Sequence, residues 1–151
     1  MIQIEVSTHV DASPEKVWAL IGDPTRMGEW SPECDRASWV GGSTAPVLGA
    51  KFKGHNKNGW HQWTTTNTLV AYEPGRELAW DVSLAVFSIA RWGYRIEPAE
   101  AGCTVVESFV DHRNSLTTAL GQMARGVKDV ETHNRAGMET TLAAIKAAAE
   151  G

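Results

Sequence analysis

Apolar and polar residues alternate at the start of the chain and again through its middle, which is the pattern of strands with one buried face. The first such run covers residues 2–10. Between about residue 33 and residue 110, further short runs are separated by turn residues, and no long helical period interrupts them. The pattern therefore predicts one strand and, after a gap, about six more.

Two helix-start signals lie in that gap. Ser13 precedes Pro14 and Asp23 precedes Pro24, so each pair offers an N-cap side chain followed by proline at the first helical position. The sequence predicts a short amphipathic helix after Ser13 and a second short helix from Pro24 to about Trp30.

One long amphipathic helix is predicted to close the chain, over about 23 residues after Gly126. Its stripe at steps of three or four residues contains Val127, Val130, Asn134, Met138, Leu142 and Ile145. The pattern of residues 112–126 does not decide between a short helix and a lid. Hairpins in the middle with helices near both ends indicate an α+β fold, with a bent antiparallel sheet and the helix along its concave face.

The dipeptide Asn58-Gly59 predicts a tight hairpin. With these two residues at the centre of the turn, Gly54 lies opposite Trp63 and leaves space for the indole. The hairpin then has a basic, polar face and a second face that alone can line an interior. The second face carries Ala50, Phe52, Gly54, Asn56, His61, Trp63, Thr65 and Asn67.

A second turn, residues 73–76, is predicted to extend that face. Pairing across it places Leu78, Trp80 and Val82 beside Ala71, Leu69 and Asn67, unless a bulge shifts the register by one residue. The next strand adds Trp92 and Tyr94. In the last strand, residues 103–111, the pattern does not decide whether the set with Glu107 or the set with Val106 points inward.

The residues of this inner face are the candidate ligand-binding set. They are Phe52, Trp63, Thr65, Asn67, Leu69, Trp80, Trp92 and Tyr94 on the sheet, with Asn134 and Met138 on the helix. Seven tryptophans against three phenylalanines and two tyrosines favour broad, flat walls around a cavity. The alternative is that these side chains fill the space between sheet and helix, and that the polar ones bond to backbone or water.

Glu107 and Tyr94 are the candidate catalytic residues. If its strand presents Glu107 inward, burial would raise the pKa of the carboxyl group and make proton transfer plausible. The alternative is a glutamate that faces water. His61 stands beside the hairpin turn, where solvent exposure is expected. The sequence contains no nucleophile elbow, glycine-rich phosphate loop or HExxH motif, which disfavours hydrolase, nucleotide-binding and zinc-protease functions.

Length and composition narrow the classes further. The 151 residues fit one domain, 1–151, and the net charge of -4 disfavours nucleic acid as a partner. Cys34 and Cys103 lie too far apart for a CxxC pair, so we expect reduced thiols, no metal site and no cofactor. No secretory signal and no run of 18 apolar residues is visible, so we expect a cytoplasmic protein without stable membrane insertion.

The chain resembles the polyketide cyclase/dehydrase and lipid-transport family of the START-like, or SRPBCC, helix-grip superfamily. The resemblance rests on structural motifs and covers essentially the whole chain: residues 12–18 (ASPEKVW), 23–32 (DPTRMGEWSP), 49–54 (GAKFKG), 72–80 (YEPGRELAW) and 134–138 (NRAGM). It implies a curved seven-stranded antiparallel sheet around the C-terminal helix, two short helices between strands one and two, and an internal cavity. It implies no catalytic residue.

Three functions follow as hypotheses. The first is binding of a hydrophobic small molecule, a lipid, polyketide or aromatic compound, in the cavity between sheet and helix. The second is a polyketide cyclase/dehydratase-type enzyme that uses the same cavity without a metal or nucleotide cofactor. The third is a protein-interaction module, as in helix-grip relatives that act with chaperones. The first is preferred because the inner face is aromatic and lacks an acid/base constellation.

Overall fold

The computed structural model of the chain describes residues 2–113, 126 and 129–151. The sequence did not decide whether residues 112–126 form a lid or a short helix, and most of this segment lies outside the described residues. The elements follow the predicted order. They are β1 (Gln3–Val10), α1 (Pro14–Ile21), a 3₁₀ helix (Pro24–Glu29), β2 (Cys34–Val40), β3 (Lys51–Asn58), β4 (His61–Glu73), β5 (Glu77–Leu84), β6 (Phe87–Pro98), β7 (Cys103–Asp111) and α2 (Val130–Glu150).

The seven strands form one antiparallel sheet in the order β1-β7-β6-β5-β4-β3-β2. Consecutive strands from β2 to β7 are neighbours in the sheet, and the first strand, β1, pairs with the last strand, β7. The helix α2 packs against β1, β7 and α1. The predicted α+β helix-grip fold, with two short helical segments between strands one and two, is thereby confirmed.

Capping side chains explain where each helical segment begins. Ser13 Oγ accepts a hydrogen bond from the backbone N–H of Lys16 at 3.2 Å, and Asp23 Oδ1 accepts one from Thr25 at 2.9 Å. Asp129 caps α2 in the same way. The predicted helix after Asp23 is a 3₁₀ helix, and α2 has 21 residues. Its buried stripe includes the predicted positions Val130, Asn134, Met138, Leu142 and Ile145, whereas Val127 lies outside the described residues.

The β3–β4 hairpin differs from its predicted register by two residues. Its turn is centred on Gly59 and Trp60, so Asn58 pairs with His61 and Gly54 pairs with Thr65 rather than with Trp63. Gly59 has a φ of +61°, which suits glycine at the first central position of a tight turn. Because side chains alternate with a period of two, this slip leaves every residue on its predicted face.

The β4–β5 pairing confirms the predicted partners at one end and shows the bulge at the other. Asn67 pairs with Val82 and Leu69 pairs with Trp80, but the register shifts after Leu69. Leu78 therefore lies opposite Tyr72 instead of Ala71. In β7 the open choice is resolved, because Cys103, Val105, Glu107, Phe109 and Asp111 are the buried alternate positions.

The interior of the fold is solid at the end where β1 finishes and α2 ends. Aliphatic side chains from the sheet, α1 and α2 meet there without exposure to solvent: Val10, Val17, Leu78, Val105, Leu142 and Ile145. Lys146 Nζ donates a hydrogen bond to the His9 carbonyl at 2.7 Å, and the Asp11 backbone N–H donates one to Glu150 at 2.8 Å, so the end of α2 is fixed to the end of β1.

Cys34 and Cys103 are both free and buried, as expected for reduced thiols. None of the helices in the described ranges is long and apolar enough to cross a bilayer.

Candidate functional site

A cavity of about 500 Å³ lies between the sheet and α2, at the end of the fold away from the solid core. The strands β3 to β7 form one wall, and the stretch of α2 between Thr132 and Thr141 forms the other. Residues from the 3₁₀ helix and from 31–34 complete the edge. This volume is within the range of small-molecule pockets, which is roughly 300–1,000 Å³.

All but one of the predicted ligand-binding side chains line this cavity. They are Phe52, Trp63, Thr65, Asn67, Trp80, Trp92 and Tyr94 on the sheet, with Asn134 and Met138 on α2. Their role in binding stays a prediction. Leu69 departs from the expectation: it is 1% exposed and belongs to the hydrophobic core. On β4 the cavity lining ends at Asn67, and Leu69 is the next inward-facing position toward the solid end.

The aromatic wall is held by contacts between rings on different strands of the sheet. Trp80 lies between Phe52 and Tyr94, with ring centroids 5.8 Å and 6.0 Å apart. Trp92 contacts Phe109 at 4.7 Å. Such tilted and edge-to-face pairs are favourable in themselves. They fix the rings across four strands, and the apolar surface of the cavity is therefore built into the sheet.

Polar groups interrupt this wall on β3 and β4. Asn67 Nδ2 donates hydrogen bonds to the Phe52 carbonyl at 3.3 Å and to Thr65 Oγ1 at 3.5 Å. A β-carbon at Gly54 would lie 3.3 Å from Thr65 Oγ1 and 3.5 Å from Asn67 Nδ2. The glycine therefore makes room for this polar pair, and not for Trp63 as the sequence suggested.

The two candidate catalytic residues are neighbours in the cavity. Tyr94 on β6 pairs with Glu107 on β7, and the Tyr94 hydroxyl donates a hydrogen bond to Glu107 Oε1 at 3.4 Å. Glu107 is 5% exposed, and no group in the described part of the chain hydrogen-bonds to its Oε2 atom.

Burial controls the charge of both groups. Burial raises the pKa of Glu107 to about 8, because the ionised carboxylate is poorly solvated there. Burial also raises the pKa of Tyr94 well above its ordinary value, and the nearby Glu107 carboxylate raises it further. Both side chains are therefore predominantly protonated and uncharged near neutral pH.

Glu107 and Tyr94 lie at the inner limit of the cavity. The next inward-facing residues on their strands, Val105 and Ile96, belong to the solid core and do not line the cavity. The opposite end of β7 finishes at Asp111, four residues away, which is roughly 13 Å along a strand. The cavity thus has a buried inner end and an outer rim.

The rim carries ion pairs that sequence reasoning did not identify. Each basic side chain among the described lining residues contacts a carboxylate. The pairs are Lys57 with Asp35 at 3.6 Å, Arg113 with Asp111 at 2.7 Å, and His133 with Glu33 at 2.8 Å. Arg113 and Asp111 are two residues apart. The partners in the other two pairs are distant in the sequence, so no local spacing could have revealed those two.

His61 is half-buried at the hairpin turn and stacks on Trp60, with ring centroids 3.8 Å apart. It does not line the cavity. Within the described ranges, no group of three or more histidine, cysteine, aspartate or glutamate side chains is arranged to hold a metal ion.

A protein-family profile matches nearly the whole chain. The profile described as polyketide cyclase / dehydrase and lipid transport matches residues 1–150. Among curated proteins, no significant match was found.

Solved structures share the architecture. The Polyketide_cyc-like protein Cgl2372 of Corynebacterium glutamicum is 31% identical, with 95% of this chain and 88% of that chain covered and a TM-score of 0.58. The di-domain ARO/CYC StfQ from the steffimycin biosynthetic pathway is 15% identical, with 99% of this chain and 50% of that chain covered and a TM-score of 0.73. The Aha1 dimer of Colwellia psychrerythraea is 17% identical, with 99% and 97% covered and a TM-score of 0.69. The last two similarities show the fold alone.

Proposed function

The chain belongs to the polyketide cyclase/dehydrase and lipid-transport family, and from this premise we propose that it binds a hydrophobic small molecule in the cavity between the sheet and α2. The ligand class is a lipid, a polyketide or an aromatic compound. The observation that carries the proposal is the cavity of about 500 Å³ with its fixed aromatic wall.

Apolar burial is the main source of affinity in such a site. A flat ligand that buries roughly 300 Å² of apolar surface gains about 7.5 kcal/mol at about 25 cal/mol per Å². Association and ordering costs reduce that gain. The cavity therefore supports binding of compounds that carry a broad apolar face and only a few polar groups.

Titration with N-phenyl-1-naphthylamine, an uncharged aromatic probe, tests the proposal. We expect saturable enhancement of probe fluorescence and a change in tryptophan emission. Trp92→Ala removes part of the cavity wall and is expected to weaken binding several-fold, because apolar contact is lost. Trp60→Ala is the matched control, since Trp60 is 83% exposed on the β3–β4 turn.

Two results would contradict binding in the cavity. One is the absence of saturable binding for the probe and for a panel of fatty acids, sterols and polyaromatic compounds. The other is loss of binding in Trp60→Ala with full retention in Trp92→Ala, which would place the probe on the surface.

A cyclase/dehydratase-type reaction is the second candidate function, and the Glu107–Tyr94 pair favours it. A protonated carboxyl group beside a phenol in an apolar cavity provides a proton donor for a carbonyl oxygen or a departing hydroxyl group. Turnover of a poly-β-ketone mimic should fall in Glu107→Gln or Tyr94→Phe while folding is retained. Equal turnover in the wild type and in both variants would remove these residues from the mechanism.

The protein-interaction alternative has less support in the described residues. The large apolar side chains that are exposed in the described ranges are distributed over three different connections between strands: Val47, Leu48, Trp60 and Val86. This alternative stays a prediction from the resemblance alone.

A further inference from the structure

The inner end of the cavity contains an unsatisfied polar atom where the surrounding wall is apolar. Among the described residues, Glu107 Oε2 has no hydrogen-bond partner, while Oε1 accepts the hydrogen bond from Tyr94. A buried polar atom without a partner costs roughly 1–3 kcal/mol of stability. A ligand that supplies the missing partner would recover part of that cost.

The protonation state determines which partner fits. Burial raises the pKa of Glu107 to about 8, so the carboxyl group carries a proton near neutral pH. Because Oε1 is already the acceptor for Tyr94, the proton is best placed on Oε2, which then acts as a donor. The complementary ligand atom is an oxygen that accepts a hydrogen bond and bears no charge.

The charges of the cavity lining disfavour a ligand whose polar group is an anion. A carboxylate or phosphate would need a cation, but each basic residue in the described lining already contacts an acidic side chain at the rim. At the inner end, the described side chains Glu107 and Tyr94 are uncharged near neutral pH and supply no positive charge for an anion. An anionic group would thus lose its hydration there without gaining a countercharge.

We infer that the inner end of the cavity, formed by Glu107 and Tyr94, is a subsite for an uncharged carbonyl or hydroxyl oxygen that hydrogen-bonds to Glu107 Oε2, so that this cavity takes neutral oxygen-bearing apolar ligands in preference to carboxylates. The inference rests on the proposed binding function and specifies the polar group of the ligand.

Four naphthalenes that differ in one substituent test the subsite by equilibrium dialysis. They are 2-acetylnaphthalene (a ketone), 2-ethylnaphthalene (its apolar counterpart), 2-naphthoate (an anion) and 2-(aminomethyl)naphthalene (a cation at neutral pH). Removal from water costs the ketone more free energy than it costs the ethyl compound. The informative quantity is therefore the ratio of the two affinities, ketone to ethyl, compared between variants.

In Glu107→Leu, this ratio should shift about tenfold toward 2-ethylnaphthalene, which corresponds to the loss of one hydrogen bond. Glu107→Gln, which keeps an uncharged donor at the same position, should keep the ratio within about twofold. Glu139→Leu removes a glutamate from an exposed position of α2 and serves as the control. Retained binding of 2-ethylnaphthalene shows that each variant is folded.

The outcomes separate this inference from the binding function. An unchanged ratio in Glu107→Leu, with both probes still bound, would overturn the subsite and leave the cavity as a binding site. Tightest binding of 2-naphthoate would overturn the selectivity, because a rim cation would then be available to an anion. Tightest binding of the amine, lost in Glu107→Gln, would show a cation site instead. No binding of any probe to the wild type would overturn the binding function itself.

Discussion

The two halves of the interior are built from the same sheet and the same helix, yet one is solid and the other is hollow. At the closed end, aliphatic side chains such as Leu78, Val105, Leu142 and Ile145 are fully buried against one another. At the other end, Trp80, Trp92 and their neighbours surround about 500 Å³ of space. The difference lies in side-chain type, since the strand alternation and the helical stripe continue through both halves.

Shape and polarity account for the contrast. Leucine, isoleucine and valine interdigitate at the density of an organic crystal. The aromatic rings of the hollow half are fixed by contacts within the sheet, and polar residues such as Asn67 and Glu107 lie among them. We expect the solid half to contribute most of the stability of the fold and the hollow half to provide the space for a ligand. Substitutions in the two halves should therefore have different effects.

The largest expected effect concerns the dependence of stability on pH. The folded protein holds a proton on Glu107 up to about pH 8, whereas the ordinary pKa of glutamate is 4.5. The free energy of unfolding therefore falls as pH rises between these values, by up to roughly 5 kcal/mol. Below pH 4.5 both states are protonated and the contribution is constant.

Glu107→Gln should abolish this fall. In urea unfolding at pH values from 4.5 to 9, the free energy of unfolding of the variant should rise steadily relative to that of the wild type as pH rises. Tyr94 does not titrate in this range, because burial raises its pKa well above 10. The control Glu139→Gln removes an exposed carboxylate from α2. Parallel stability curves for the wild type and Glu107→Gln would show that Glu107 is ionised in the folded state.

Truncation of two neighbouring positions on α2 should give a smaller difference. Leu142→Ala opens a new cavity in the solid half and should cost about 3 kcal/mol of unfolding free energy. Met138→Ala, one turn earlier, enlarges an existing cavity and should cost about half as much or less, because fewer contacts are lost. Chemical denaturation measures both. Equal losses would indicate that the interior is packed to the same density around both residues.

Added side-chain volume, like truncation, should be tolerated better in the hollow half than in the solid half, with a smaller difference between the two. Ala149→Phe inserts a ring into the solid half, where overpacking costs about 1–3 kcal/mol. Ala90→Phe places the same ring in the cavity wall and should cost less than about 1 kcal/mol. The Ala90 variant should instead weaken N-phenyl-1-naphthylamine binding several-fold. Full affinity in Ala90→Phe, or an equal stability loss in both variants, would contradict the hollow half.

Much of the fold was predictable because it depends on periodic patterns. The β3–β4 register was wrong by two residues, yet the faces were right, since a slip of two preserves the alternation of side chains. Ser13 and Asp23 gave the helix starts because capping is a local interaction. The bulge after Leu69 could be anticipated but not located, because the sequence there has no distinguishing residue.

The candidate site was less predictable at its boundaries. Leu69 is apolar and faces inward, and the sequence pattern around it does not show whether its side chain lines a cavity or packs in the solid core. The orientation of Glu107 was open because both faces of β7 carry apolar residues: Val106, on the face opposite Glu107, is also only 5% exposed. Two of the three rim pairs join residues from distant parts of the chain: Lys57 with Asp35, and His133 with Glu33.

The most direct test is an isotope-filtered NOE measurement between bound N-phenyl-1-naphthylamine and the methyl groups of α2. Met138 lines the hollow half and Ile145 lies in the solid half. We predict intermolecular NOEs to the ε-methyl group of Met138 and none to Ile145. NOEs to the exposed Val86 without any to Met138 would contradict the account, because the probe would then be bound outside the fold.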